Sequence, residues 1–183
     1  MTVAALLLAA GNSQRFGPDD KLLAHYQGRP LITYAAAAVT ALAVDSRIAV
    51  ISNPDLAAHL AGFEIVQLRS GDDGLSASLK AGLARARLTH PDCALVALAD
   101  MPHVSTELMA QVIAASTANT PAAANNGRRA MPPACFPACY FDQLAALQGD
   151  KGAREILDTL PPEAHVLASL DQLHDVDRPE DLS

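Results

Sequence analysis

The sequence contains no tryptophan, and aromatic residues make up only 4% of its 183 positions. A core with so few rings must be built mainly from small aliphatic side chains, and half of all residues are hydrophobic. Charged residues are also scarce, at 18%, and this combination excludes a disordered chain. The length is that of one compact domain, so we expect residues 1–183 to form a single domain.

The chain also lacks an excess of basic residues, since its formal net charge is −7. Proteins that bind nucleic acid are usually basic, so we expect no nucleic-acid partner. No apolar run approaches the roughly 20 residues that a membrane span needs. Residues 1–10 are apolar but lack the positive start of a secretory signal, and three cysteines do not suggest a disulfide framework. These absences together predict a cytoplasmic protein without a membrane partner.

Short apolar runs alternate with helical segments along the first two thirds of the chain. The apolar runs predict strands at residues 3–8, 47–52, 63–67 and 93–98. Helices are predicted at 31–42, with Pro30 at the first position, and at 54–60, 75–87 and after Ser105. Later, Asn126-Gly127 predicts a hairpin turn between strands at 122–124 and 133–136, followed by helices at 140–147 and 152–160 and a strand at 165–170. This order predicts a three-layer α/β/α fold with a mostly parallel sheet and a small antiparallel insertion.

The loop after the first predicted strand has features of a phosphate site. In open α/β sheets, ligands bind at the carboxyl ends of the strands, and this loop contains Gly11 and two cations, Arg15 and Lys21. Backbone N–H groups facing an anion, with the two cations beside it, would bind a phosphate. The loop matches neither a dinucleotide fingerprint nor a Walker A loop. The alternative is an ordinary strand-to-helix turn with solvated side chains.

Carboxylates occur at two further places where a metal could bind. Asp100 directly follows the predicted strand at 93–98, and Mg²⁺ needs few protein carboxylates when phosphate oxygens complete its shell. The alternative is that Asp100 caps a helix or begins a turn. Asp175 and Asp177 lie in an acidic tail, which is either a second source of metal ligands or a solvated charged segment.

Several of these segments resemble motifs of one family. Residues 8–17 read LAAGNSQRFG and are followed by Lys21, and this string resembles the signature L-A-A-G-x-S-x-R-[FM]-G-x-x-K of the MobA-like nucleotidyltransferases, which handle the molybdenum cofactor. The LADMP string at residues 98–102 resembles the family's metal motif, and DVDRPEDL at 175–182 resembles its ending. The chain departs from the pattern by one extra residue before Lys21 and by Arg178 in place of threonine. The resemblance extends from Leu8 to Leu182.

The resemblance implies a nucleotidyltransferase (Rossmann-like) fold and a set of site residues. It implies that Arg15 binds the outer phosphates, that Lys21 binds the α-phosphate, and that Asp100 binds a catalytic Mg²⁺ together with Asp177 or, as the weaker candidate, Asp175. Arg15, Lys21 and Asp100 are therefore the predicted catalytic residues. The predicted nucleotide-binding residues are Leu8, Ala9, Ala10, Gly11, Ser13, Arg15, Lys21, Ser52, Asn53, Arg69, Gly74 and Ser78.

Two later segments resemble the acceptor side of the family. The PPACF string at 132–136 and the GDKGAR string at 149–154 predict that Pro133, Lys151 and Arg154 bind the acceptor. The alternative is two ordinary loops with solvated cations. Ala130-Met131 stands where the family usually has Gly-His, so the sequence does not identify the acceptor molecule.

The Ala9-Ala10-Gly11 form of the loop resembles the cytidylyltransferase branch more than the guanylyltransferase branch. The predicted reaction is therefore transfer of a cytidylyl group from CTP to the terminal phosphate of molybdenum-bound molybdopterin, with release of pyrophosphate and delivery of the product to a molybdoenzyme. Two alternatives remain. One is a guanylyl- or other nucleotidyltransferase with a different phosphorylated acceptor, and the other is a non-catalytic protein that passes the cofactor on.

Overall fold

The computed structural model describes residues 1–11, 16, 20–69, 74–147 and 153–182. Within them the strands are β1 (Val3–Ala9), β2 (His25–Tyr26), β3 (Arg29–Pro30), β4 (Ser46–Ile51), β5 (Glu64–Gln67), β6 (Cys93–Leu98), β7 (Ala122–Asn125), β8 (Ala130–Pro137) and β9 (His165–Leu167). The α-helices are α1 (Ile32–Thr40), α2 (Leu75–Ala86), α3 (Thr106–Ala115), α4 (Phe141–Ala146) and α5 (Arg154–Leu157). Short 3₁₀ helices occur at Pro54–His59, Arg87–Thr89, Ala138–Tyr140, Pro162–Ala164 and Pro179–Leu182. None of the helices in the described residues has the length and apolarity needed to cross a membrane.

Seven strands form one sheet in the order β5-β4-β1-β6-β8-β7-β9. Its neighbouring strands pair in parallel except at β8, which runs antiparallel to β6 and β7. The predicted mostly parallel sheet is therefore confirmed. β1 lies between β4 and β6, with Leu8 in register with Val50 on one side and Leu98 on the other. The carboxyl ends of these three strands consequently meet at one edge of the sheet, where ligands bind in open α/β folds.

The two faces of the sheet are covered by separate hydrophobic clusters. Every residue of β1 is buried, and successive side chains point to opposite faces. Leu7 and its alternate neighbours pack with α1 and α3, whereas Leu6 and Leu8 pack with α2, α4 and α5. A strand buried on both faces has an unbroken apolar sequence rather than alternating apolar and polar residues. This is why residues 3–8 could be recognised as a buried strand.

The segment before α1 differs from the prediction. Pro30 is not the first residue of the helix but belongs to β3, which pairs with β2 in a small antiparallel hairpin. Gln27 and Gly28 form its turn with φ values of 45° and 92°, the backbone that two-residue hairpin loops require. Strands of two residues are too short to show any period, so the hairpin was not predicted. α1 begins two residues later, at Ile32.

The late antiparallel strand lies within the main sheet. β8 begins at Ala130, earlier than predicted, and the pairing register shifts between Ala123 and Ala124 opposite Pro132-Pro133. Proline has no backbone N–H to donate to the sheet, so the ladder is interrupted there and resumes beyond it. The predicted strand at 165–170 ends at Leu167.

Gly82 of α2 lies close to the sheet. A Cβ atom on Gly82 would lie 3.1 Å from Cγ2 of Val50 and 3.4 Å from Cδ1 of Leu6. We expect Gly82→Val to lower the free energy of unfolding by about 1–3 kcal/mol, because added methyl groups overpack this contact. Urea unfolding measures the change. Ala84→Val, at an exposed position of the same helix, should cost only about 0.5 kcal/mol. An unchanged Gly82→Val stability would show that α2 moves freely away from the sheet.

Candidate functional site

A cavity of about 210 Å³ lies at the carboxyl edge of the sheet, beside the ends of β1 and β6. The backbone N–H of Ala99 donates to the carbonyl of Leu8 at 3.0 Å, so the segments that follow the two strands stay side by side. The cavity is lined by residues 8–11, Lys21, Leu22, Leu75, Ser78 and residues 98–100. A larger hollow of about 830 Å³ lies at the opposite edge, near Asp92 and Arg87, and contains none of the predicted site residues. We therefore place the site at the smaller cavity.

The start of α2 forms one wall of this cavity. Gly74 precedes the helix with a φ of 94°, a backbone conformation that favours glycine, and its carbonyl accepts hydrogen bonds from the backbone N–H and the hydroxyl of Ser78 at 3.2 Å each. Ser78 is buried, and Leu75 lines the cavity beside it. The amino end of a helix carries partial positive charge, so this wall favours an anion such as a phosphate.

Lys21 is surrounded by oxygen atoms from two distant parts of the chain. Its Nζ lies 2.7 Å from Oδ2 of Asp100, 3.0 Å from the carbonyl oxygen of Val176 and 3.5 Å from Oδ1 of Asp177. The side chains of Lys21 and Asp100 are only 12% and 22% exposed, so water screens the pair weakly. The structure thus brings together three of the residues predicted from the sequence.

The acidic tail is attached to the site by its own backbone. The N–H of Val176 donates to the carbonyl of Asp100 at 2.9 Å, and Val176 itself is fully buried. Beyond it, the N–H groups of Asp177 and Arg178 donate to Oδ2 of Asp181. These bonds favour the tail as a source of site residues over a freely solvated segment.

The charges around Lys21 change the protonation equilibria. Burial lowers the pKa of Lys21, but the charges of Asp100 and Asp177 and their hydrogen bonds outweigh it, so this pKa lies above its ordinary value. The pKa of Asp175 is raised, by partial burial and then by the charges of Asp177 and Asp100, although Lys21 opposes the rise. One ammonium therefore faces several carboxylates, and the surplus of negative charge favours a further cation.

The donor set at Lys21 suits a hard divalent cation. Two carboxylates and one carbonyl converge on a single point, and oxygen atoms are the ligands that Mg²⁺ and Mn²⁺ prefer. The ammonium occupies the position in which a cation would contact Asp100 and Asp177. Among the described residues, no three His, Cys, Asp or Glu side chains are grouped closely enough to hold a metal by themselves.

Asn53, a predicted nucleotide-binding residue, is hydrogen-bonded to Asp20 and Asp55. Its side-chain N–H donates to Oδ2 of Asp20 at 3.0 Å. Its side-chain oxygen, Oδ1, accepts the backbone N–H of Asp55 at the start of a 3₁₀ helix. The other oxygen of Asp20 accepts the N–H of Leu22 at 2.9 Å. Asn53 therefore connects the end of β4 to the turn that carries Lys21.

The remaining predicted residues are spread more widely. Arg69 lies exposed after β5, and Ser52 lies exposed at the end of β4 with its carbonyl accepting the side-chain N–H of Gln67. Pro133 is buried within β8, and Arg154 lies 3.7 Å from Asp158 in a solvent-exposed ion pair. Neither Pro133 nor Arg154 lines the cavity. Three predicted residues, Ser13, Arg15 and Lys151, lie outside the described residues.

Sequence reasoning missed several contacts of the segments that carry Lys21 and Asp100. Asp20, the carbonyl of Val176, and the pair Tyr26 and His103, whose side chains lie 2.6 Å apart, were not predicted. Asp20 could have been found, because aspartate one residue before a turn often accepts backbone N–H groups beyond it. The other groups depend on contacts between segments that are 77 to 155 residues apart, and no local pattern reports them.

Residues 5–166 match the sequence profile of the MobA-like NTP transferase domain. A molybdenum cofactor guanylyltransferase of Pseudomonas aeruginosa is 32% identical over 181 residues, covering 96% of this chain and 90% of the relative. Another, from Pseudomonas fluorescens, is 36% identical over 110 residues, covering 60% of this chain. That second match spans only 53% of the relative's own length.

Solved structures share the fold. A nucleotidyl transferase from Methanothermobacter thermautotroptrophicus superposes with a TM-score of 0.83 at 24% identity, covering 98% of this chain and 94% of that one. A Mycobacterium tuberculosis protein in complex with manganese superposes with a TM-score of 0.81 at 21% identity, covering 99% and 96%. These likenesses establish the same three-layer architecture over nearly the whole chain.

Proposed function

Because the chain belongs to the MobA-like NTP transferase family, we propose that it transfers a guanylyl group from GTP to the terminal phosphate of molybdenum-bound molybdopterin. One observation carries the nucleotidyl transfer. Lys21 and Asp100, 2.7 Å apart, lie at a cavity bordered by the backbone of residues 8–11 and the amino end of α2. A cation, the amino end of a helix and a carboxylate at one strand edge suit a nucleoside triphosphate and its metal.

The choice of guanine rests on the relatives. Two relatives at 32% and 36% identity are named molybdenum cofactor guanylyltransferases, which favours the alternative in the sequence analysis over the cytidylyl reaction. The cytidylyl reaction remains a second candidate because of the Ala9-Ala10-Gly11 form of the loop. The residues of this loop line the cavity, so parallel assays with GTP and CTP are needed to decide between the two bases.

The proposed reaction needs positioning and charge neutralisation more than proton transfer. An oxygen of the acceptor phosphate attacks the α-phosphorus in line, the bond to the β-phosphate breaks, and pyrophosphate leaves. The attacking phosphate is already ionised at neutral pH, so no general base is required. Lys21 exchanges Asp100 for an α-phosphate oxygen and neutralises the charge that develops there.

Asp100 and Asp177 would hold a divalent cation, which we propose to be Mg²⁺ and which supplies positive charge to the phosphates. When Lys21 turns toward the phosphate, Asp100 loses its partner and its carboxylate becomes available. The backbone N–H of Val176, which donates to the carbonyl of Asp100, keeps the tail beside it. In this proposal the two carboxylates therefore bind two cations in turn, first the ammonium of Lys21 and then the metal.

Pyrophosphate release tests the proposal directly. The purified protein is incubated with Mg²⁺ and molybdenum-bound molybdopterin, in parallel with GTP, CTP and ATP, and with EDTA or no acceptor as blanks. We expect metal-dependent and acceptor-dependent release with GTP. Turnover with CTP instead would be consistent with the same site and would establish the cytidylyl reaction. No release with any nucleotide, from folded protein and intact acceptor, would favour a protein that only binds and passes on the cofactor.

A further inference from the structure

The turn that carries Lys21 and the turn that carries Asp100 are joined at two points. The first is the ion pair between Lys21 and Asp100 at 2.7 Å. The second lies farther along both segments, where the hydroxyl of Tyr26 and Nε2 of His103 are 2.6 Å apart. The two links thus connect residues 21–26 to residues 100–103, one at the start and one at the end of each segment.

The Tyr26 end of the second link is rigid. Tyr26 is only 7% exposed, and its backbone carbonyl accepts the hydroxyl of Tyr34 at 2.7 Å. The rings of Tyr26 and Tyr34 meet edge to face at 5.4 Å, and the guanidinium of Arg29 lies 3.8 Å above the ring of Tyr34. Because Tyr34 belongs to α1, the β2–β3 hairpin is fixed to the helix layer.

The His103 end is fixed by this link alone among the contacts of the described residues. His103 is exposed, and Tyr26 supplies both its hydrogen bond and its ring contact, at 5.8 Å between centroids. An exposed imidazole has no packing reason to adopt one orientation. Ordering this exposed imidazole costs side-chain entropy, and the link adds to the bond from the N–H of Val104 to the carbonyl of Met101 within the turn after Asp100.

The two links differ in what nucleotide binding does to them. Under the proposed function, Lys21 leaves Asp100 for the α-phosphate, so the first link breaks during each cycle. Nothing in that exchange involves Tyr26 or His103, whose bond lies outside the cavity lining. The second link then keeps the two turns in register while Asp100 holds the metal.

We propose that Tyr26 and His103 are positioning residues that hold Asp100 in place for the metal–nucleotide complex once Lys21 has turned away. The proposal rests on the proposed nucleotidyl transfer at Lys21 and Asp100. Neither side chain touches a reacting atom, and each acts through the backbone of the turn that carries a site residue. The rival interpretation is a hydrogen bond that contributes only to folding.

Tyr26→Phe separates the two interpretations, because it keeps the buried ring and removes only the hydroxyl. We expect turnover to fall and the half-saturating Mg²⁺ concentration to rise, each by about threefold to tenfold. Tyr34→Phe is the matched control, since it removes a hydroxyl bond from the same hairpin but keeps the ring contact with Tyr26 and the Tyr26–His103 bond. It should lower the unfolding midpoint as much as Tyr26→Phe does and leave the Mg²⁺ dependence unchanged.

A double-mutant cycle tests whether the pair acts as one unit. His103→Ala should reproduce the kinetic effect of Tyr26→Phe, and the double variant should add little to either, because both remove the same link. Additive effects, or equal Mg²⁺ dependence in Tyr26→Phe and Tyr34→Phe, would overturn the proposal.

Amide hydrogen exchange gives a readout that does not depend on turnover. In Tyr26→Phe, the amide exchange rates should rise in both turns, at residues 20–24 and at residues 100–104. In Tyr34→Phe, they should rise in the hairpin alone. If the exchange rates in Tyr26→Phe rose only in the hairpin, the proposed role of the Tyr26–His103 bond would be refuted, whatever the activity of the variant. A wild-type protein without nucleotidyl transfer would instead refute the proposed function, so the two failures are distinguishable.

Discussion

Asp100→Asn is expected to lower turnover by about 10²- to 10³-fold while the protein stays folded. The amide has the shape of the carboxylate but no charge, so it weakens the binding of a divalent cation and no longer pairs electrostatically with Lys21. Since Asp100 is 22% exposed, we expect the free energy of unfolding to fall by only about 1–3 kcal/mol. Pyrophosphate release and urea unfolding on the same preparation measure both effects.

Asp92→Asn provides the control for this prediction. Asp92 accepts the backbone N–H of Thr2 at 2.6 Å at the opposite edge of the sheet, where no predicted site residue lies. The same loss of one negative charge there should leave turnover unchanged. If Asp100→Asn retained full activity, the carboxylate would not take part in the reaction and the assigned site would be wrong.

The meeting of the loop after β1 with Asp100 follows from features that are visible in the sequence. Residues 3–8 and 93–98 are unbroken apolar runs, one followed by Gly11 and the other by Asp100. Parallel buried strands place their carboxyl ends together, and β1 and β6 prove to be neighbours in register. The mostly parallel sheet, and the meeting of these two strand ends at one edge of it, could therefore be predicted from the sequence.

The role of Asn53 could not be predicted in the same way. Asn53 follows β4 at the carboxyl edge of the sheet, as the sequence predicts, but the partner of its amide is Asp20, 33 residues earlier in the chain. Which side chain meets which across an edge depends on loop paths that local sequence does not encode. The β2–β3 hairpin was missed for a related reason, because its strands of two residues are shorter than any period that the sequence could show.

The choice between guanine and cytosine is a further property that could not be predicted from the residues of the loop. Residues 8–11 line the cavity through a strand end whose side chains are almost entirely small, and Ala9 and Ala10 are buried. Small buried side chains present few polar groups that could distinguish guanine from cytosine. A comparison with relatives supplies a preference here that the residues of the loop do not.

Lys21→Met is expected to have two opposite effects in one variant. Turnover should fall by about 10²- to 10³-fold, because no cation neutralises the α-phosphate. Binding of Mn²⁺ in the absence of nucleotide should instead become about tenfold tighter or more. The reason is geometric: the ammonium lies among Oδ2 of Asp100, Oδ1 of Asp177 and the carbonyl of Val176, so it competes with a metal for the same oxygens. Methionine keeps the apolar stem and removes the competing charge.

Calorimetric titration with Mn²⁺ alone measures the second effect without any turnover. Lys80→Met is the matched control, since Lys80 lies on α2, outside the cavity lining, and should leave Mn²⁺ binding unchanged. If Lys21→Met bound Mn²⁺ no more tightly than the wild type, the ammonium would not occupy the metal's position. Tighter binding would mean that the free protein holds its own cation where the metal belongs. Productive metal binding would then require the phosphate that draws Lys21 away, so metal and nucleotide would enter the site together.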